Sequence, residues 1–265
     1  MELPDGLKFD DFERPREIIV NFIKDYVSQA RVRGVILGLS GGIDSSLVAT
    51  LACEAIGPER VHGIMLPVDA KKDAENIADA VDLAEALQMK HELFELKGAI
   101  AAYDSLSLDG VALGNLAARL RMVAWYARAN QENLLVLGTG NKTELMIGYF
   151  TKYGDGGTDI LPIGDLYKEN VWSLSRFMGI PKKIIEKVPS AGLWKGQTDE
   201  GEIGISYAEL DSILYLCLER DMSEGEIVEW GIDKIKVKKA LKMMKNSEHK
   251  RKPLPIPRVR VETLG

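Results

Sequence analysis

Between residues 34 and 138, short apolar runs alternate with segments of helical period, and this alternation constrains the fold more than any other feature of the chain. GVILGLS, VHGIMLP, HELFEL and LLVLGTG each read as a short buried strand bounded by turn residues. DSSLVATLACEAIG, DAENIADAVDLAEALQ and GNLAARLRMVAWYARAN, which lie between them, carry apolar residues at helical spacing. Strands separated by helices predict an α/β, doubly wound, mainly parallel sheet, with ligands at the carboxyl ends of the strands. The loops after Leu39, Leu66 and Leu137 then share one rim.

An amphipathic helix precedes the first strand, beginning near Glu17, with Ile18, Ile19, Phe22, Ile23, Tyr26, Val27 and Ala30 as a wide apolar stripe. After Gly138 the pattern changes. TKYGDGGTDILPIGD and PSAGLWKGQTDEGEIG read as long irregular stretches, separated by a helix over residues 169–178. The end is helical over 206–219, through SEGEIVEWG with Ser223 and Glu226 in a capping-box pattern, and over 234–245. No sharp linker divides the chain. The expectation is one α/β domain: an N-terminal helix in 1–33, a nucleotide-binding core in 34–190, and a loop and helical part in 191–265.

A net charge of −6, from 34 basic and 40 acidic residues, disfavours a general nucleic-acid binder. No apolar run approaches the roughly 20 residues of a membrane span, and the acidic start lacks a signal-peptide core. Cys53 and Cys217 fall in apolar helical segments and read as buried free thiols, which suits a cytoplasmic location.

The loop LGLSGGIDSS joins the first strand to a helix, the setting in which backbone N–H groups and a helix N-terminus bind an anion. Gly38, Gly41 and Gly42 allow close approach of backbone to phosphate, and Ser40, Ser45 and Ser46 add hydroxyls. No lysine stands where a Walker loop has one; Asp44 sits in the loop instead. A carboxylate beside a phosphate makes sense with a cation between them, so Asp44 is a candidate Mg²⁺ ligand holding metal against ATP. The alternative is a helix cap.

SGGIDSS resembles the pyrophosphate-loop signature of ATP pyrophosphatases, which cleave ATP between its α and β phosphates. GNLAARLRM, GTGNKTELMIGYFTKYGDGGTDILPI, LYK, PSAGLWKGQTDEGEIG, Y-x-x-LD and EHKR resemble the NAD synthetase family in order and spacing, over residues 17–252. The resemblance implies ATP-dependent amidation of deamido-NAD through an adenylated intermediate. It implies ATP contacts from residues Gly38, Leu39, Ser40, Gly41, Gly42, Ile43, Asp44 and Ser45 of the loop, with Thr139, Lys168 and Ser190. Asp44 and Glu144 become the Mg²⁺ ligands, with a solvated helix-start residue as the alternative for Glu144. Asn115, Arg119, Lys152, Asp159, His249 and Lys250 become deamido-NAD contacts, a solubilising tail being the alternative for the last two. Asp155 orders its loop or meets the amide nitrogen, which makes Asp44, Lys168 and Asp155 the catalytic set. A homodimer is implied, and the apolar stripes on the first helix and on GNLAARLRMVAWYARAN are either its surface or core. With no room for a glutaminase domain and no thiol in a nucleophile motif, free ammonia is the expected nitrogen source. The rival readings are a tRNA-modifying relative, which would want a basic RNA surface and cysteine pairs, and a non-catalytic nucleotide sensor, against which both Asp44 and Glu144 count.

Overall fold

The computed structural model describes residues 2–190 and 198–257. The first half alternates α1 (Glu13–Ala30), β1 (Gly34–Gly38), α2 (Ile43–Ile56), β2 (Val61–Met65), α3 (Ala74–Ala86), β3 (Lys90–Leu93), α4 (Lys97–Ala101), α5 (Gly110–Glu132) and β4 (Leu134–Leu137). The second half is helical: α6 (Lys142–Ile147), α7 (Lys168–Phe177), α8 (Lys182–Ile185), α9 (Asp199–Ile203), α10 (Tyr207–Leu218), α11 (Glu224–Glu229), α12 (Lys234–Asn246) and α13 (Glu248–Arg251).

The four strands form one parallel sheet in the order β3-β2-β1-β4, with Val35 opposite both Val61 and Leu135. Side chains alternate across it. Val35, Leu37, Val61 and Leu137 join the core under α1, α2 and α7, while Ile36, Ile64 and Val136 join the core with α5 residues Ala117, Trp125 and Ala129. Because both faces are covered, the strands read as continuous apolar runs. A third core gathers α10, α11 and α12 with Ile147, Tyr167 and, from the N-terminal segment, Leu7.

Several boundaries differ from the sequence reading. α1 and α5 each begin four residues earlier than expected, and β3 ends at Leu93, short of HELFEL. The stretch after Gly138 contains the short helix α6, and PSAGLWKGQTDEGEIG contains α9, although residues 191–197 of it lie outside the described residues. Neither helix is long enough to display a period; each is fixed by its cap, Asn141 for α6 and Thr198 for α9. TKYGDGGTDILPIGD forms turns, with a single parallel bridge from Ile160 to Leu137. The two apolar stripes are divided. On α1, Ile19, Ile23 and Val27 are buried, whereas Ile18, Phe22 and Tyr26 are exposed. On α5, Val123 and Ala127 face solvent, whereas Gly114, Ala117 and Ala118 are buried, Ala117 in the core shared with the sheet. Both cysteines are half-buried free thiols rather than fully buried ones. No helix among the described residues is long and apolar enough to cross a membrane.

Candidate active site

The carboxyl ends of β1, β2 and β4 open into a cleft of about 810 Å³, a volume that suits a nucleotide. Its floor begins with the loop after β1. Gly42 is the N-cap of α2, and the hydroxyls of Ser45 and Ser46 both donate to its carbonyl, at 3.0 and 2.8 Å. Ser40 and Ser45 share a hydroxyl–hydroxyl bond of 3.0 Å. The Ser46 hydroxyl is thereby turned into the helix, a consequence of the i−4 back-bond available to serine. Two of the three glycines answer to packing. A methyl group on Gly38 would lie 2.8 Å from the Trp125 ring, and one on Gly41, where φ is +71°, would lie 2.3 Å from the Asn76 carbonyl oxygen. Gly38 and Gly42 line the cleft, and the space beside Gly42 is the most open of the three.

Asp44 is not a helix cap. Its Oδ1 accepts from Asn141 Nδ2 at 2.9 Å, and its Oδ2 meets the ammonium of Lys168 at 2.6 Å. Asn141 caps α6, and the Glu144 side chain returns a bond to the Asn141 N–H at 3.1 Å, completing a capping box. The capping box holds Glu144 Oε1 3.8 Å from Lys168 Nζ, so two carboxylates converge on one buried ammonium. Glu144 is therefore a cap partner as well as a cleft residue, which answers the solvated-residue alternative. Burial and the neighbouring Asp44 charge push the Glu144 carboxyl well above its ordinary pKa, with Lys168 opposing. Burial works against the charge on Lys168, but Asp44 and Glu144 outweigh it and hold its pKa above the usual value. Leu39, Ile43, Thr139 and Ser190 line the same cleft; Gly41 does not.

A second set of expected residues is linked at the far side. Arg119 donates to the Lys152 carbonyl at 3.4 Å, and Lys152 Nζ to the His249 carbonyl at 2.7 Å. Lys250 Nζ spans the Gly148 and Phe150 carbonyls, both at 2.7 Å. Thr151 ties this loop to the rest: its hydroxyl donates to Asn115 Oδ1 at 2.7 Å and its N–H to Asp155 Oδ1 at 2.8 Å. Asn115, Asp155 and Lys250 line the cleft, whereas Arg119, Lys152, Asp159 and His249 do not. Asp155 lines the cleft, and desolvation by the surrounding protein atoms raises its pKa, against the pull of Arg121 and Lys250. Asp159 is exposed but engaged by the edge of the sheet. Its oxygens accept from Tyr126 OH at 2.8 Å and from the Val136 N–H at 2.7 Å, covering the outer edge of β4.

Three features escaped the sequence reading. Lys187 reaches the loop from the far side of the chain, donating to Asp79 at 2.5 Å, Asn76 at 2.9 Å and the Gly41 carbonyl at 3.3 Å. Arg121 also lines the cleft and donates to the Leu66 carbonyl at 3.0 Å. The indole N–H of Trp125 is buried at the cleft wall and finds no acceptor among the described residues. No periodicity announces such contacts; each depends on a partner distant in sequence. Burial, with Glu59 adding to it, pushes the Cys53 thiol up to about 12, and burial also raises that of Cys217.

A parallel sheet with covered faces, a serine–glycine loop at the end of its central strand, and a lysine set between two carboxylates define an ATP-using α/β protein of the nucleotide α-hydrolase type. Residues 16–254 match the family model described as NAD synthase. The NH(3)-dependent NAD(+) synthetase of Archaeoglobus fulgidus is 46% identical over 252 residues, covering 94% of this chain and 98% of that one. That of Methanosarcina mazei is 45% identical over 254 residues, covering 93% and 98%. Among solved structures, the NMN synthetase of Francisella tularensis superposes with a TM-score of 0.80 at 35% identity, covering 94% and 99% of the two chains. The NH3-dependent NAD synthetase of Campylobacter jejuni, in complex with nitrate, gives 0.80 at 32%, covering 94% and 100%. The chain belongs to the NAD synthase family, which catalyses ATP-dependent amidation of deamido-NAD.

Proposed function

We propose that this chain converts deamido-NAD, ATP and free ammonia into NAD, AMP and pyrophosphate, in the cleft above the Ser–Gly loop. A carboxylate is a poor acylating agent because its leaving group would be oxide. In the first step a nicotinate oxygen attacks the ATP α-phosphorus, and the bond to the β-bridging oxygen breaks. Ammonia then attacks the carbonyl carbon of the mixed anhydride, the carbon–oxygen bond breaks, AMP leaves and a proton is released. No protein nucleophile is needed, so positioning and charge carry the catalysis.

The observation that carries this reading is the Lys168 ammonium between Asp44 and Glu144, beside the loop. Lys168 would neutralise charge on the phosphates as pyrophosphate departs. Asp44 and Glu144 would also hold a Mg²⁺ ion. Two converging carboxylates, one with its pKa raised by burial and by the other, are a pair that a divalent cation relieves. Mg²⁺ is commonly held by one or two carboxylates plus substrate phosphates, and the described residues offer no cluster of three His, Cys, Asp or Glu ligands. Bound there, the ion neutralises phosphate oxygens and stabilises the leaving group. Thr139 and Ser190 supply hydroxyls to the nucleotide. Arg119, Lys152 and Lys250 form a cationic border suited to the dinucleotide phosphates and carboxylate, with His249, Asn115 and Asp159 beside it and Asp155 near the incoming nitrogen.

The same reading treats the chain as one α/β unit working in the cytoplasm as a homodimer, the exposed apolar faces of α1 and α5 supporting self-association. Pyrophosphate release from ATP tests the reaction, with deamido-NAD and ammonium each omitted in turn. Release is expected only with deamido-NAD, and NAD only when ammonium is added as well. Release without the dinucleotide, or turnover on glutamine alone as fast as on ammonium, contradicts it. Because one structural neighbour is an NMN synthetase, the acid precursor of NMN is a further arm of the assay, expected to be the weaker acceptor.

A further inference from the structure

Y-x-x-LD, one of the blocks singled out in the sequence, has no part in the chemistry above. Tyr207 and Asp211 stand four apart on one face of α10 and are buried, at 1% and 0% exposure. The Tyr207 ring centre lies 5.3 Å from the Lys168 ammonium, and its hydroxyl donates to Asp199 at 3.0 Å. Asp211 reaches the backbone of the same lysine's turn. α7 begins at Lys168, so the N–H groups of Lys168 and Glu169 have no acceptor within their helix. The Lys168 N–H donates to Thr143 Oγ1 at 3.0 Å, and the Glu169 N–H to Asp211 Oδ2 at 2.8 Å. The Thr143 hydroxyl donates in turn to Asp211 Oδ1 at 2.5 Å. Thus the first turn of α7 is capped by two other helices. One of the capping residues, Thr143, immediately precedes Glu144.

We infer that Asp211 and Thr143 are positioning residues for the adenylation step: by tying the first turns of α6 and α7 to one buried carboxylate, they fix Lys168 relative to Glu144 and Asp44. The inference rests on the function proposed above. A carboxylate at a helix N-terminus is favoured by the helix dipole, and a buried one requires such partners. Without these bonds the Lys168 and Glu169 N–H groups lose their acceptors, and the ammonium loses its register against two carboxylates. A displacement of about 1 Å at a positioned group costs on the order of 10²-fold in rate. Asp211 touches neither nucleotide nor acceptor in this scheme, so its effect is transmitted through Thr143 and the start of α7.

The test uses the full chain with Thr143→Ser, Thr143→Val and Asp211→Asn. For each, kcat and the KM for ATP and deamido-NAD are measured, with the melting temperature and the calorimetric Kd for Mg-ATP alongside. Thr143→Ser keeps the hydroxyl and is expected within about threefold of the parent in every parameter. Thr143→Val and Asp211→Asn are expected to lower kcat by on the order of 10²-fold and weaken Mg-ATP about tenfold, with the KM for deamido-NAD unchanged. Should Asp211→Asn fail to fold, the Thr143 pair decides the matter alone. Folded Thr143→Val with a kcat near that of the parent, or Thr143→Ser impaired as severely as Thr143→Val, overturns the inference. A parent chain that releases no pyrophosphate with deamido-NAD would instead remove the proposed reaction. The Kd series would then judge the positioning role by itself, equal values across the variants overturning it.

Discussion

At the loop end of the cleft Asp44 and Lys168 are tied to side chains far away in sequence and Glu144 to a local helix cap; at the border end, cations are tied to backbone carbonyls. Asp44 is held by Asn141 and Lys168, and Glu144 by the Asn141 cap, so the reacting end is preorganised by buried, mutually satisfied groups. Arg119, Lys152 and Lys250 spend their donors on carbonyls of Lys152, His249, Gly148 and Phe150, which are neutral acceptors, and Lys250 feels a nearby carboxylate, that of Asp155. Under the proposed reaction, the first end would stabilise charge that develops during the reaction, and the second would attract charge that is present beforehand. A preorganised end should govern kcat and fold stability together, and an attracting border should govern affinity alone.

Substitutions at the two ends should separate these effects. Asp44→Asn keeps the size of the side chain and removes its charge. Its expected effect is the largest, a fall in kcat of about 10²–10³-fold, read by steady-state NAD formation. Lys168→Met should cost similar activity and also about 3–5 kcal/mol of stability in denaturant unfolding, because it leaves converging carboxylates without their cation. Arg119→Ala should raise the KM for deamido-NAD about 10–100-fold while leaving the melting temperature unchanged, since the side chain is exposed and makes one long bond. If Arg119→Ala lowered kcat and stability as Lys168→Met does, the distinction between the two ends would collapse.

The smallest effect concerns the clamp on the loop. Asp79 is buried, which opposes its ionisation, but hydrogen bonds from Lys183 and Lys187 prevail and hold its carboxyl below the ordinary range. A depressed carboxylate pKa contributes stability that is present above the unfolded-state value and lost as pH falls through the folded one. Asp79→Asn should therefore lower the melting temperature modestly near neutral pH and flatten its decline below about pH 4. An unchanged acid limb in thermal melts would show that the clamp does not couple α3 to the loop.

The sheet and its rim were readable because buried parallel strands and covering helices impose two clear periods on residues 34–138. The loop was readable because glycine, serine and aspartate in that order have few other uses between a strand and a helix. What the sequence concealed is how these groups are held. Asn141 lies 97 positions from Asp44 and Thr143 lies 68 from Asp211, separations that no local pattern reports. The short helices α6 and α9 were hidden because caps, and not periodicity, define them. Asp159 shows the reverse problem. A family contact position by resemblance, it bonds here to Tyr126 and Val136, a role that residue type alone does not disclose.

The central claim is that the buried loop end activates a carboxylate by joining it to the α-phosphate of ATP. Deamido-NAD carrying a heavy-oxygen label in both carboxylate oxygens tests this most directly, with mass analysis of the products after a single turnover in the presence of ammonium. One labelled oxygen should appear in AMP and the other should remain in the amide of NAD. Label in pyrophosphate, or AMP without label alongside newly formed NAD, would contradict attack at the α-phosphate.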